Sequence, residues 1–202
     1  MRRIVVTEFL TMDGVMQAPG GPDEDRDGGF RYGGWQMEYG YDDVQVKKVG
    51  EAIESTDAYL LGRRTYEIFA AYWPNQPDTN KWAAVLNPRP KYVVSRTLSE
   101  PLSWQHSTLL KDDVVGRIHA LKDQPGGDIS VLGSGNLVQT LIKNDLVDQL
   151  ALTVYPLILG TGKRLFREEL DARKFELVDS LPGKGGGVML TYRRTSEAIT
   201  RS

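Results

Sequence analysis

The chain has 202 residues, enough for one large domain with a continuous core. Its 25 Lys and Arg against 27 Asp and Glu leave a net charge of -2 and supply no basic stripe to track a phosphate backbone, so nucleic acid is not an expected partner. There is no cysteine, which excludes disulfides, thiolate metal sites, thiol nucleophiles and the zinc-deaminase signature.

In chain order, Ile4-Val5-Val6 and Phe9-Leu10 predict a first strand, and Asp13-Gly14 a turn after it. The apolar run is broken by Thr7-Glu8 and is too brief for a signal segment, and no later stretch approaches the ~18 apolar residues of a membrane span, so a soluble cytoplasmic protein is expected. Residues 17–34 are dominated by Gly, Pro and Asp; a compact domain reserves so long a stretch for function or leaves it mobile, and it is expected to border a site. Val46, Val49 and Ile53 recur at helical spacing within residues 41–55. Residues 57–62 form a continuous apolar run of the kind buried on both faces of a sheet, and helical spacing returns over 63–73 until Pro74.

Lys91-Tyr92-Val93-Val94-Ser95 predicts the next strand. Asp112 or Asp113 caps a helix carrying Val114, Val115, Ile118 and Leu121, which Pro125-Gly126-Gly127 ends. A strand over 128–133 precedes a helix with Leu137, Val138, Leu141 and Ile142 on one stripe. Even spacing of Leu150, Leu152, Val154 and Leu157 within 146–159 predicts a strand through Tyr155-Pro156, and runs at 174–181 and 188–194 flank a glycine-rich loop as a terminal hairpin. Strands alternating with helices imply an α/β fold of three layers, α/β/α, with a mostly parallel central sheet and an antiparallel C-terminal hairpin at one edge. A single domain over 1–195 and a polar tail over 196–202 are expected.

Two segments share one grammar of buried strand, glycine and helix: Leu60-Leu61-Gly62-Arg63-Arg64-Thr65 and Val131-Leu132-Gly133-Ser134-Gly135-Asn136-Leu137. Each leaves first-turn N–H groups open beside a glycine that lets a phosphate approach, although a glycine there also serves merely to tighten a turn. Gly133-Ser134-Gly135 is not a Rossmann fingerprint, because Val138 stands at the third glycine position and no acid follows near Thr153. Gly160-Thr161-Gly162-Lys163-Arg164 lacks P-loop spacing. Arg63, Arg64 and Arg96 follow strand ends, and Ser95-Arg96-Thr97 offers the guanidinium and hydroxyls that a 2′-phosphate requires. Charged pairs opening a helix are often only a solvated face, yet cations there oppose the helix dipole, so an anion should compensate them. His106 and His119 have no accompanying ligand cluster and receive no metal or catalytic role.

Leu61-Gly62-Arg63-Arg64-Thr65-Tyr66 resembles the glycine-arginine-x-threonine-aromatic motif of dihydrofolate reductases, and residues 131–137 resemble their later glycine-pair motif. Val147-Asp148-Gln149-Leu150 and Leu159-Gly160-Thr161-Gly162 leading to Leu165-Phe166, with Thr11-Met12-Asp13-Gly14 at the first-strand exit, are similar to the reductase half of bacterial riboflavin-pathway deaminase-reductases. The resemblance implies NADPH as cofactor and homodimerisation. It places Arg63, Arg64, Thr65, Ser95 and Arg96, with Gly62, at the adenosine phosphates, Gly133, Ser134, Gly135, Asn136 and Leu137 at the pyrophosphate, and Met16 near the nicotinamide. In the family a cis peptide joins the glycine pair; here Ser134 replaces the second glycine. Folate reductases also carry a proline-containing segment leading to an acid, whereas here Trp35 is followed by no proline before Asp42-Asp43. Asp13 and Asp43 are the candidate catalytic carboxylates and Trp35, Tyr66 and Tyr155 the candidate substrate pocket, although adjacent Asp residues at a helix start are commonly caps. The expected activity is hydride transfer to a small pteridine or ribosylaminopyrimidine-like heterocycle; the alternatives are a non-catalytic NADPH-binding or metabolite-sensing module and, less consistent with the arginines, an NADH enzyme.

Overall fold

The structure, a computed structural model, describes residues 1–40, 42–77, 79–167 and 170–195; Tyr41 and the tail expected at 196–202 lie outside the described residues. The strands are β1 (Ile4–Thr11), β2 (Thr56–Gly62), β3 (Lys91–Val94), β4 (Ser107–Leu110), β5 (Asp128–Leu132), β6 (Gln149–Tyr155), β7 (Phe175–Pro182) and β8 (Val188–Arg194). The longer helices are α1 (Asp43–Ser55), α2 (Arg63–Tyr72), α3 (Lys81–Leu86), α4 (Val114–Asp123) and α5 (Gly135–Lys143). All eight strands join one sheet in the order β4-β3-β2-β5-β1-β6-β8-β7. The pairings from β4 through β6 are parallel, while β8 runs antiparallel to both β6 and β7. This is the expected α/β architecture, with its antiparallel hairpin at one edge.

Strand alternation sorts the core into two layers. Leu60 joins Ile4, Val6, Val131 and Leu150 against Ile118 and Leu121 of α4 and Leu137, Val138 and Leu141 of α5. Its neighbours Tyr59 and Leu61 face the other way, onto Tyr66 of α2, Leu86 of α3, and Trp104. A third cluster of Val15, Ala18, Phe30, Trp35 and Tyr155 underlies the glycine-rich segment.

Two elements differ from the sequence reading. α3, six residues capped by the Asn80 side chain at Trp82 N and Ala83 N, and β4, four residues parallel to β3, were not anticipated. Each is too short to complete a periodic signature, and each exists through a cap or a neighbouring strand rather than through its own pattern. β6 ends where the even spacing through Tyr155-Pro156 predicts, because Pro156 has no N–H to continue a ladder and Leu157 N turns back onto the Tyr155 carbonyl at 2.7 Å.

Candidate cofactor cleft

A cleft of about 1410 Å³ lies between α1 and one face of the sheet, from the strand starts at Arg3, Thr56, Asp128 and Gln149 to the C-terminal ends of the parallel strands, where ligands collect in open α/β sheets. All the residues assigned to a cofactor line it: Met16, Gly62, Arg63, Arg64, Thr65, Ser95, Arg96, Gly133, Ser134, Gly135, Asn136 and Leu137.

Helix capping marks the same place. α1, α3 and α4 begin under side-chain caps from Asp42, Asn80 and Asp113. α2 and α5, which follow Gly62 and Ser134, have no side-chain cap at all, so their positive ends and first-turn N–H groups remain open to an anion in the cleft. Ser134 ties the two turns together: its Oγ accepts from Gly62 N at 2.8 Å and donates to Thr65 Oγ1 at 2.8 Å. The Gly133–Ser134 peptide is not cis; the turn is made by positive φ at both residues, 59° and 72°. A serine in the left-handed region costs about 1–2 kcal/mol, which its two side-chain hydrogen bonds offset.

The arginines at the head of α2 have the compensating anions that the helix dipole calls for, and the protein itself supplies them. Arg63 pairs with Glu67 at 2.8 Å. Arg64 pairs closely with Asp27 and reaches Asp25 at 3.4 Å. Lys163 joins the same two carboxylates at 2.5 and 2.9 Å. Gln17 completes this strap: its Nε2 donates to the Asp25 and Asp27 carbonyls and its Oε1 accepts from Lys163 N. Arg64, with help from Lys163, holds the Asp27 carboxyl down to about 2. Arg96 is exposed and has no partner among the described residues, directly after a turn in which Ser95 Oγ accepts from Thr97 N and Leu98 N.

The residues expected on the substrate side do not line the cleft. Asp13 accepts from the Thr11 hydroxyl at 2.6 Å, from Leu159 N and Gly160 N, and from Arg164, fastening the exit of β1 to the 157–164 segment. Burial alone would raise its carboxyl, but the Thr11 hydroxyl and the two amides together hold it below the ordinary range. Asp43 lies exposed in the first turn of α1, and its neighbour Asp42 is the cap, in a capping box with Gln45. Tyr66 is core: its hydroxyl accepts from Trp104 N at 2.9 Å. Trp35 and Tyr155 pack edge to face at 5.7 Å beneath the strap, with Trp35 Nε1 bonded to the Gln17 carbonyl and the Tyr155 hydroxyl accepting from Gln36. Aromatic type alone does not reveal which side of a strap a ring occupies.

Sequence reasoning missed Thr7, Glu8, Phe9 and Gln36, all of which line the cleft. Glu8 carries the most information, because it is 4% exposed and its Oε1 has no hydrogen-bond partner. Period-two alternation placed it in step with Ile4, Val6 and Leu10, and that signal was available in the sequence. Uncapped helix ends, glycines at the approach and an unpaired guanidinium suit a phosphate-bearing ligand.

The sequence profile of the RibD C-terminal domain matches residues 2–188. The uncharacterized protein YyaP of Bacillus subtilis is 28% identical over 199 residues, covering 95% of this chain and 94% of its own. Among solved structures, a Shewanella sp. PV-4 protein provisionally named for riboflavin biosynthesis superposes with a TM-score of 0.73 at 22% identity, over 96% of this chain and 99% of that one. Dihydrofolate reductase from Enterococcus faecalis, solved with NADP(H), gives 0.60 at 18% identity, over 96% and 97%. The fold is therefore dihydrofolate reductase-like, and the chain belongs to the RibD C-terminal domain family.

Proposed function

We propose that this chain is an NADPH-dependent reductase that delivers hydride to a small heterocycle of the pteridine or ribosylaminopyrimidine class. One observation carries the reading: every residue assigned to the dinucleotide from sequence lines a single cleft, at the ends of the two uncapped helices. In that cleft the first turns of α2 and α5 hold the pyrophosphate, and Ser95 and Arg96 take the 2′-phosphate, with Arg64 joining when it leaves Asp27. The nicotinamide supplies the hydride when bound. The protein's part is to orient the ring and exclude water from the space between α1 and the sheet. The same reading includes a cytoplasmic homodimer, which light scattering on the purified chain tests.

Calorimetry with NADPH and NADH tests the cofactor. Tight NADPH binding that falls toward the NADH value in Arg96→Ala supports the reading; equal binding of both nucleotides by the wild type removes the 2′-phosphate assignment. A second reading, a non-catalytic NADPH-binding or sensing module, is favoured by one feature: Asp13 and Asp43 both lie off the cleft. Stopped-flow oxidation of NADPH with pteridines and aminopyrimidines separates the two, since a module binds NADPH without consuming it.

A further inference from the structure

Glu8 is a buried ionisable group on the wall of the cleft to which the proposed function gives no part. Its side chain lies on the α4/α5 side of β1, in step with Ile4, Val6 and Leu10. β5 ends at Leu132 opposite Thr7, so Glu8 stands one step beyond it, beside the Gly133-Ser134-Gly135 turn that opens α5. It lines the cleft with Met16 and Gly135, yet Oε1 has no partner. Burial pushes its carboxyl well above the usual range, and the other charge that bears on it, Glu24, pushes the same way. A buried polar atom without a partner is costly, and each such exception in a native protein calls for a physical explanation.

Strand order identifies the part of the ligand that meets it. Ser95 and Arg96 end β3, the uncapped turns end β2 and β5, and β1 follows β5 in the sheet. From β3 to β1 is three strand spacings, about 14 Å. A dinucleotide with its 2′-phosphate at β3 and its pyrophosphate between β2 and β5 therefore brings its nicotinamide to β1. The ring carries a primary carboxamide, one acceptor beside two donors. An uncharged carboxyl offers one donor and one acceptor in the same plane, the complement of that amide.

We propose that Glu8 recognises the nicotinamide carboxamide, one carboxyl oxygen accepting from the amide N–H while the other donates to the amide oxygen. Glu8 is then a specificity-determining residue for the ring end of the cofactor; the inference rests on the dinucleotide reading above.

The test is calorimetric binding of three probes to wild type, Glu8→Gln and Glu8→Leu. The probes are NADPH, its 3-acetylpyridine analogue, in which a methyl ketone replaces the amide, and adenosine 2′,5′-bisphosphate, which lacks the nicotinamide. Glu8→Leu should weaken NADPH about tenfold, as loss of a paired hydrogen bond does, and leave the bisphosphate unchanged. The wild type should bind the analogue about tenfold more weakly than NADPH, Glu8→Leu should not distinguish them, and Glu8→Gln, which keeps a donor and an acceptor, should bind NADPH like the wild type. Unchanged NADPH affinity in Glu8→Leu, or an equal loss for all three probes, overturns the assignment to the amide while leaving the cofactor reading intact. Failure of the wild type to bind both NADPH and the bisphosphate removes the cofactor reading and this inference with it.

Discussion

Lys91 has no solvent exposure, with its ammonium 4.2 Å from the centre of the Trp104 ring and donating to the Leu86 and Asn87 carbonyls at the end of α3. Burial lowers its pKa to about 8. An unfolded lysine keeps its proton to about pH 10.4, so between about 8 and 10.4 the unfolded chain binds more protons and this residue makes stability rise with pH. Urea titrations should show that rise in wild type and lose it in Lys91→Met, which should also be about 1–3 kcal/mol less stable at neutral pH because two carbonyls lose their donor. Glu8 has the opposite dependence. Its raised pKa means that its contribution is fully present below about pH 4.3 and is lost as pH rises, so Glu8→Leu should gain stability over wild type at pH 7 and lose that advantage near pH 4. A gap that does not change with pH would contradict the buried, unpaired carboxyl. Glu8 was overlooked because a charged residue in an apolar run reads as an interruption; only its phase with Ile4 and Val6 shows that it points inward.

Among the elements, the two uncapped glycine turns were legible because glycine punctuates a strand-to-helix junction and the strands around it are long enough to carry a pattern. α3 and β4 were not, since six and four residues hold too little periodicity and depend on Asn80 and on β3. The cap of α1 was read as one of two adjacent aspartates, and the structure assigns it to Asp42, which also accepts from Lys184 N at 2.9 Å. Asp42→Ala should lower the midpoint of thermal or urea unfolding through loss of the cap, with Asp43→Ala near neutral. The 17–34 segment was expected to be functional or mobile, and its order comes from charges distant in sequence: Arg64 and Lys163 on Asp25 and Asp27. Replacing both acids by Asn should expose this segment to limited proteolysis while circular dichroism is unchanged. Because the Asp27 carboxyl is held at about 2, the tie is complete above about pH 4 and lost as pH falls toward 2; chemical shifts of the segment should move in that window.

At the scale of the molecule, the α/β class and the antiparallel edge followed from alternation of elements, and sheet order placed the two glycine turns on adjacent strands β2 and β5. The wide side of the cleft could not be read this way, because which aromatic rings face it depends on how the strap folds over Tyr155. A ligand that fills two uncapped helix ends binds only the folded chain. NADPH at a hundredfold excess over its Kd should add about 2.7 kcal/mol of stability. For a chain of this size that raises Tm by about 5–10 °C in a thermal melt, and an absent shift would count against the cofactor.

Asp25 and Asp27 already hold Arg64 as a phosphate dianion would. Under the proposed cofactor assignment, an arriving 2′-phosphate meets no bare cation there but enters an ion exchange, in which Arg64 changes partner and Lys163 keeps the two acids. Salt screens the contact that is broken along with the contact that is made. The affinity for NADPH should fall with ionic strength less steeply than an open cluster of Arg64, Arg96 and Lys163 would require, and the Asn variants, with Arg64 released, should restore the steeper dependence.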